Sequence, residues 1–197
     1  MKVKSFHISE KGNSKVHLPV INLGSGTHCP SRTWCPFARE NHKNSGRKLC
    51  YAQKIEGFRH TALLSRERNA SIIRSASKDE QSELACAIAG RIAKHATLGT
   101  VRMNESGDLC DENIHFACVL VKELARLGVR VYLYSKAPMR LIRRIRNAGA
   151  TVLQSERDFV AVPDIETGKA LGIPACPGVC GPCMRCPDGK RSYIIEH

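Results

Sequence analysis

The 197-residue chain has no apolar run long enough to cross a bilayer, and its opening MKVKSFHISEKGNSKV lacks the apolar stretch that directs secretion. Both absences set the expectation of a cytoplasmic protein with no membrane partner. Aromatic residues are scarce, 5% of the chain with a single Trp, so the stacking platforms of single-strand nucleic-acid binders are missing. The eight histidines form no two-ligand helical pattern such as HExxH, and there is neither an internal repeat nor a low-complexity tract. Acidic residues are also short, 18 against 31 Lys and Arg, leaving a net charge of +13. That balance implies affinity for polyanions, whether nucleic acid, nucleotide phosphates or an acidic partner. Where the charge sits on helix-like stretches, as at Arg140, Arg143, Arg144 and Arg146, a solvated outer face accounts for it.

What the chain does hold is cysteine, ten in all. In a reducing compartment thiols do not build a disulfide scaffold, so metal or redox chemistry is the expectation.

The pattern of apolar residues divides the chain into an α/β core, residues 1–155, and a Cys-bearing extension, 156–197. A strand is expected over Val16 to Leu23, followed by a Gly, Ser, Pro and Cys-rich loop from Gly24 to Leu49. Helices are expected over Thr61 to Ala76 and Glu80 to Ala96, the second capped by Asp79. Then come strands Thr100 to Asn104, Val129 to Ser135 and Thr151 to Ser155, alternating with helices Glu112 to Leu127 and Pro138 to Ala148. Gly128 and Gly149 stop those helices, and Pro138 suits a first turn. Such alternation predicts a parallel α/β unit of short βα pieces, with a last strand in the terminal SYIIEH.

Cys176, Cys180, Cys183 and Cys186 are separated by three, two and two residues, with Pro and Gly bending the backbone between them. Thiolates so spaced ligate Zn2+ or an iron-sulfur cluster, and the pattern leaves both open. Cys29, Cys35 and Cys50 fall in or beside the long N-terminal loop, with five and fourteen residues between them. Three thiolates leave one coordination position open on a cluster; a zinc site completed by His28 or His42 is the rival. Trp34 is placed to cover such a site. Cys86 and Cys118 fall on apolar helix faces and are expected in the core. Cys110, at a strand's C-terminal end, suits a redox or radical-relay thiol as well as it suits packing, and Lys136 is placed to meet a carboxylate or phosphate in the same crevice.

The stretch VRMNESGDLCDENIHFACVLVKELARLGVRVYLYSKA, after a strand and a Cys-rich loop, resembles the second and third βα units of radical S-adenosylmethionine enzymes. In that family three cysteines after the first strand hold a 4Fe-4S cluster, the last beside an aromatic residue, as in Cys50-Tyr51-Ala52. The turn after the second strand binds the cofactor's amino group, a position filled here by Ser106, Gly107 and Asp108. The five- and fourteen-residue intervals differ from the family's three and two. From FHISEKGNSK to SYIIEH the chain also resembles a group of phage-encoded proteins without a settled activity.

The resemblance implies that the short parallel βα units form a partial or open TIM-like barrel, and that the protein is an iron-sulfur enzyme that cleaves S-adenosylmethionine reductively. Its cluster would rest on Cys29, Cys35 and Cys50, its cofactor on Tyr51, Ser106, Gly107, Asp108 and Lys136, and its second metal centre, cluster or zinc, on the C-terminal cysteines. It would need an electron donor and act on a substrate that the basic charge inclines toward nucleotide or nucleic acid. The alternatives are a zinc protein that binds nucleic acid without catalysis, and a non-catalytic iron-sulfur redox protein.

Overall fold

A computed structural model describes residues 5–13, 16–33, 35, 50–155, 158–162, 164–178 and 183–195. Four strands, β1 (Val20–Ile21), β2 (Thr100–Met103), β3 (Arg130–Ser135) and β4 (Thr151–Gln154), lie side by side in chain order, and every pair is parallel. Between β1 and β2 run three helices, α1 (Tyr51–Phe58), α2 (His60–Ser75) and α3 (Lys78–His95). Single crossovers follow, α4 (Ile114–Arg126) into β3 and α5 (Met139–Asn147) into β4. The sheet is open among the described residues, the arrangement of a partial α/β fold. A second, two-stranded parallel sheet joins β5 (Phe159–Val162) to β6 (Ser192–Ile195), with the short helix α6 (Ile165–Ala170) between them in sequence.

Period-two alternation gives the main sheet two different faces. Val101, Met103, Val131, Leu133 and Val152 enter the large core with Leu84, Ile88 and Ile92 of α3, Phe116 and Leu120 of α4, and Leu141 and Ile145 of α5. Each such side chain contributes roughly 1.5–3 kcal/mol on burial. On the opposite face Val20, Tyr132 and Leu153 pack with Val16, Leu18 and Cys186. Thus a residue of the C-terminal segment completes a core layer of the main sheet.

The expected strands and helices form with ends shifted by a few residues. Four features differ. Strand β1 is only two residues long, and Ser9 exchanges bonds with Val20 in an isolated antiparallel bridge. Helix α3 begins at Lys78, so Ser77, not Asp79, is its cap. The Ser77 hydroxyl accepts from Glu80 N, and the Glu80 carboxylate accepts from Ser77 N at 2.7 Å. Helix α1, and β5 with α6, form where no regular element was expected; α1 has only eight residues and α6 six. Cys86 faces outward, since α3 buries Leu84, Ala85 and Ile88 instead, whereas Cys118 packs partly buried against the core as expected.

Replacing Ser77 by Ala removes one half of the capping box and should cost about 1 kcal/mol. Urea denaturation followed by circular dichroism checks this, with an unchanged midpoint counting against the cap.

Candidate functional site

The C-terminal ends of β1, β2 and β3 converge where parallel α/β sheets hold ligands. Three loops meet there: the Gly24–Thr33 stretch after β1, the Asn104–Asn113 turn after β2, and Lys136–Ala137 after β3. Two buried carboxylates tie them together.

Asp108 is the first. Its Oδ1 accepts from Leu109 N at 2.8 Å and from the Ser135 hydroxyl; its Oδ2 accepts from the Ser31 hydroxyl at 2.7 Å and from Lys136 N at 2.8 Å. All three loops are thereby fixed to one side chain that is 5% exposed. Burial pushes the Asp108 carboxyl above the usual range and outweighs the donors from Ser135, Ser31, Lys136 and Leu109.

Glu56, on α1, is the second. Its Oε1 accepts from Gly26 N, the Ser106 hydroxyl and Arg66, and its Oε2 from the Thr27 amide and hydroxyl, all between 2.7 and 2.9 Å. Burial opposes its charge, but the donors from Ser106, Gly26 and Thr27 prevail and hold it below the usual carboxylate range. This approach of loop to helix needs glycine: a Cβ on Gly26 would stand 2.5 Å from Ala52 Cβ. Gly107 is equally constrained, with φ +75 and an added Cβ 2.8 Å from Gly24 O.

Around these anchors lie the residues expected from sequence. Cys29 follows the Glu56-bound stretch and precedes the 3-10 turn Pro30–Thr33. Desolvation pushes its thiol up to about 12, and the charges of Asp108, Cys35 and Cys50 raise it further. Cys35 and Cys50 thus lie near enough to Cys29 to act on its thiol, as Asp108 does. As they stand, no three His, Cys, Asp or Glu side chains among the described residues group closely enough to hold a metal ion. His28 is turned to Glu67, its Nδ1 2.9 Å from Oε1, while His42 and Trp34 lie outside the described residues.

Ser106 is buried, its amide donating to Asn22 Oδ1 and its hydroxyl to Glu56. Lys136, half-buried, contributes its backbone amide to Asp108. Tyr51, the first residue of α1, is exposed beside Cys50. The Cys110 thiol is pushed up to about 12, by burial first and then by its hydrogen bond to the Glu112 side chain, and so stays protonated at neutral pH.

In the C-terminal segment Cys186 is buried, and the Tyr134 hydroxyl donates to its sulfur at 2.7 Å. Cys176 and Cys183 are half-buried, and Cys180 lies outside the described residues. The segment docks on the main sheet through Arg130 to Asp188 at 2.9 Å and the Thr151 hydroxyl to Pro187 O.

Sequence reasoning missed Glu56 and Ser31. A lone Glu six residues after Cys50 and a Ser two residues after Cys29 give no pattern; only the pairing of Gly26 with Ala52 across the loop reveals the latch. Asp108 was singled out, but as an acceptor for a ligand's amino group. Its two oxygens already take four donors from the protein.

A family model described as Gene product 88 matches residues 2–159, more than three quarters of the chain, and the chain belongs to this phage-type family. The matched stretch contains both carboxylate anchors and Cys29, Cys35, Cys50 and Cys110, and stops before the C-terminal cysteines. No curated protein and no solved structure matches the chain.

Glu56→Gln would turn an amide N–H2 toward donors on one side of the carboxylate and should cost about 1.5–3 kcal/mol. The wild-type Glu56 contribution is present above the ordinary glutamate pKa of about 4.3 and is lost as pH falls through the lower folded value. Thermal midpoints measured from pH 6 to about 3 should therefore fall less steeply in Glu56→Gln than in the wild type; parallel curves would refute the latch. Asp108→Asn places an amide against the backbone N–H of either Leu109 or Lys136, and should destabilise the fold by about 1–3 kcal/mol. A urea midpoint equal to wild type would show that Asp108 is not an anchor.

Proposed function

We propose that this Gene product 88 family member is an iron-sulfur enzyme of the radical S-adenosylmethionine type, with Cys29, Cys35 and Cys50 as cluster ligands. The observation that supports the reading is the place of Cys29, at the C-terminal ends of parallel strands in sequential order and close to Asp108, with Cys35 and Cys50 near enough to act on its thiol. The donor chemistry fits: three thiols are one short of a closed tetrahedral site, which suits a cluster with an open iron better than a structural zinc. Cys29, kept a neutral thiol first of all by burial, needs a metal to become a thiolate.

When bound, the cluster and S-adenosylmethionine supply one-electron reductive cleavage of the sulfonium and hydrogen abstraction from a substrate, the electron coming from an external donor. The chain's own residues position and enclose. Asp108, held by four donors, is a positioning residue that keeps the Cys29 loop against the ends of β2 and β3. In this reading Tyr51, Ser106, Gly107 and Lys136 would hold the cofactor. The C-terminal Cys176, Cys180, Cys183 and Cys186 would form the second centre, zinc or iron-sulfur, with the Tyr134 hydroxyl supporting the sulfur of Cys186.

One observation favours the rival reading of a zinc protein that binds nucleic acid without catalysis. Arg143, Arg144 and Arg146 are exposed on α5, and Arg144 and Lys122 of the neighbouring α4 both lie near Cys118, which gives this side of the two helices a basic face. Arg140 at its edge is already paired with Asp111 through two bonds of 2.5 and 2.6 Å. In the enzyme reading this face would bring a nucleotide or nucleic-acid substrate to the protein.

Iron, sulfide and zinc analysis of anaerobically purified protein separates the two. The enzyme reading expects brown protein with labile sulfide, 5′-deoxyadenosine formed from S-adenosylmethionine under reductant, and loss of both in Cys29→Ala and Cys50→Ala. Colourless protein holding only zinc, with no cleavage, would overturn it in favour of the rival.

A further inference from the structure

Helix α5 carries four arginines in nine residues, Arg140, Arg143, Arg144 and Arg146, and no acidic residue. At helical spacing Arg140 lies beside Arg143 and Arg144, and Arg143 beside Arg146; like charges three or four positions apart repel and weaken a helix. The helix dipole accounts for Arg144 and Arg146, which lie in the last turn where positive charge is favoured. It accounts neither for Arg140, in the first turn where positive charge is disfavoured, nor for Arg143. What holds α5 in place is the burial of Leu141, Ile142 and Ile145 in the large core.

The protein itself engages two of the four. Arg140 binds both oxygens of Asp111, and Nη2 of Arg146 donates to Val152 O at 2.8 Å. Arg143 and Arg144 are exposed, and neither makes an ion pair among the described residues. Asp111 lies near Arg144 too, but both its oxygens are taken by Arg140. On the neighbouring α4, Lys122 is exposed and likewise without an ion pair among the described residues, and it lies with Arg144 near Cys118. Arg126, one turn further on, is matched by Glu123, the one acidic residue of α4. Positive charge is thus left over at Arg143, Arg144 and Lys122.

The other residues of the two helices narrow the partner. The single aromatic residue of α4, Phe116, is buried and α5 has none, so no ring is offered for stacking on the bases of a single strand. Neither helix carries Ser, Thr or Gln to meet the 2′-hydroxyls by which duplex RNA is recognised. Guanidinium and ammonium groups alone read phosphate, which duplex DNA presents outward while its bases stay stacked.

We infer that Arg143, Arg144 and Lys122 form a docking face for the phosphate backbone of double-stranded DNA, bound without regard to base sequence. Docking of this kind rests on the basic face of the proposal above and not on the metal that the cysteines hold.

The test is fluorescence anisotropy of a labelled DNA duplex of arbitrary sequence titrated with the full chain, as purified. Wild-type protein should bind with a Kd at or below about 100 µM at about 50 mM salt. Three phosphate contacts or more give a slope of log K against log salt of about −2.7 or steeper, a loss of at least about 40-fold between about 50 and 200 mM. Each of Lys122→Gln, Arg143→Gln and Arg144→Gln should weaken binding roughly five- to tenfold and make the slope shallower by about 0.9, whereas Lys169→Gln, the same change on α6, should leave the slope as it is. Arg143→Gln should also hold or raise the urea midpoint, because it removes repulsion within α5; a lowered midpoint would show that Arg143 serves the fold instead. No binding by wild type, slopes unchanged in all three face variants, or stronger displacement by the single strand, an RNA duplex or polyglutamate than by unlabelled DNA duplex would overturn the docking face. Iron and sulfide content of the same samples is read separately, so failure of DNA binding and failure of the iron-sulfur reading are distinct results.

Discussion

Everything at the C-terminal edge of the sheet depends on one buried carboxylate, Asp108. Three chain segments far apart in sequence end on it: Ser31 from the loop after β1, Leu109 from the turn after β2, and Ser135 with Lys136 from the end of β3. Two of its four donors are backbone amides, one on each oxygen, and so are fixed in direction whatever the side chains do. The other hydrogen-bonded ties of the Cys29 loop among the described residues run to helices: the Glu56 latch, Gln53 donating to Gly26 O, and His28 beside Glu67.

The two anchors are built on the same principle and ionise oppositely. Burial opposes the charge of both, but the donors from Ser106, Gly26 and Thr27 outweigh it at Glu56, which is held low, while the four donors to Asp108 do not, and it is pushed up. The sign of each linkage follows. Glu56 adds stability above the unfolded glutamate value, and that contribution disappears in acid; the Asp108 term is fully present below the unfolded aspartate value and is lost as pH rises through its raised one. The loop that carries Cys29 is thus pinned at its start by a group that works best ionised and at Ser31 by one that burial biases toward the neutral acid. A cation bound beside Asp108 would reverse that bias, because it favours the carboxylate that burial disfavours.

How much of this was legible in the sequence varies with the range of the interaction. Strands such as VYLY between charged and Gly-bounded segments, and α4 with its stripe of Phe116, Leu120 and Leu124, are set by local periodicity and appear close to where that periodicity puts them. The cap of α3 was misplaced by two residues because Ser77 and Asp79 are both good caps, and only Glu80 reaching back to Ser77 N decides between them. Helix α1 carries Gly57 inside eight residues and gains its place from Glu56 and Gln53 bonding to the Gly26 stretch, a contact across about 30 positions that no window of the sequence contains. The Gly107 and Asp108 turn was visible as a special turn, but its partners Ser31 and Ser135 were not. Serine leaves no pattern until the fold brings it to a carboxylate.

The C-terminal segment shows the same limit from the other side. Its cysteine spacing was the plainest signal in the chain, yet the structural work of one of those cysteines is unrelated to spacing: Cys186 fills a layer between Tyr132, Leu153, Val16 and Leu18 and takes a hydrogen bond from Tyr134. Tyr134 in turn carries Arg102 on its ring, and Arg102 sits two residues before Asn104 at the end of β2. Burial pushes the Tyr134 hydroxyl far above its ordinary range, so it remains a donor and keeps its hold on the sulfur across the physiological span of pH. A metal bound through Cys186 would therefore reach the inner face of the sheet through packed and hydrogen-bonded groups, with Tyr134 between the sulfur and the guanidinium. That continuity gives the segment beyond residue 159, outside the family match, a physical connection to the conformation of the strand ends inside it.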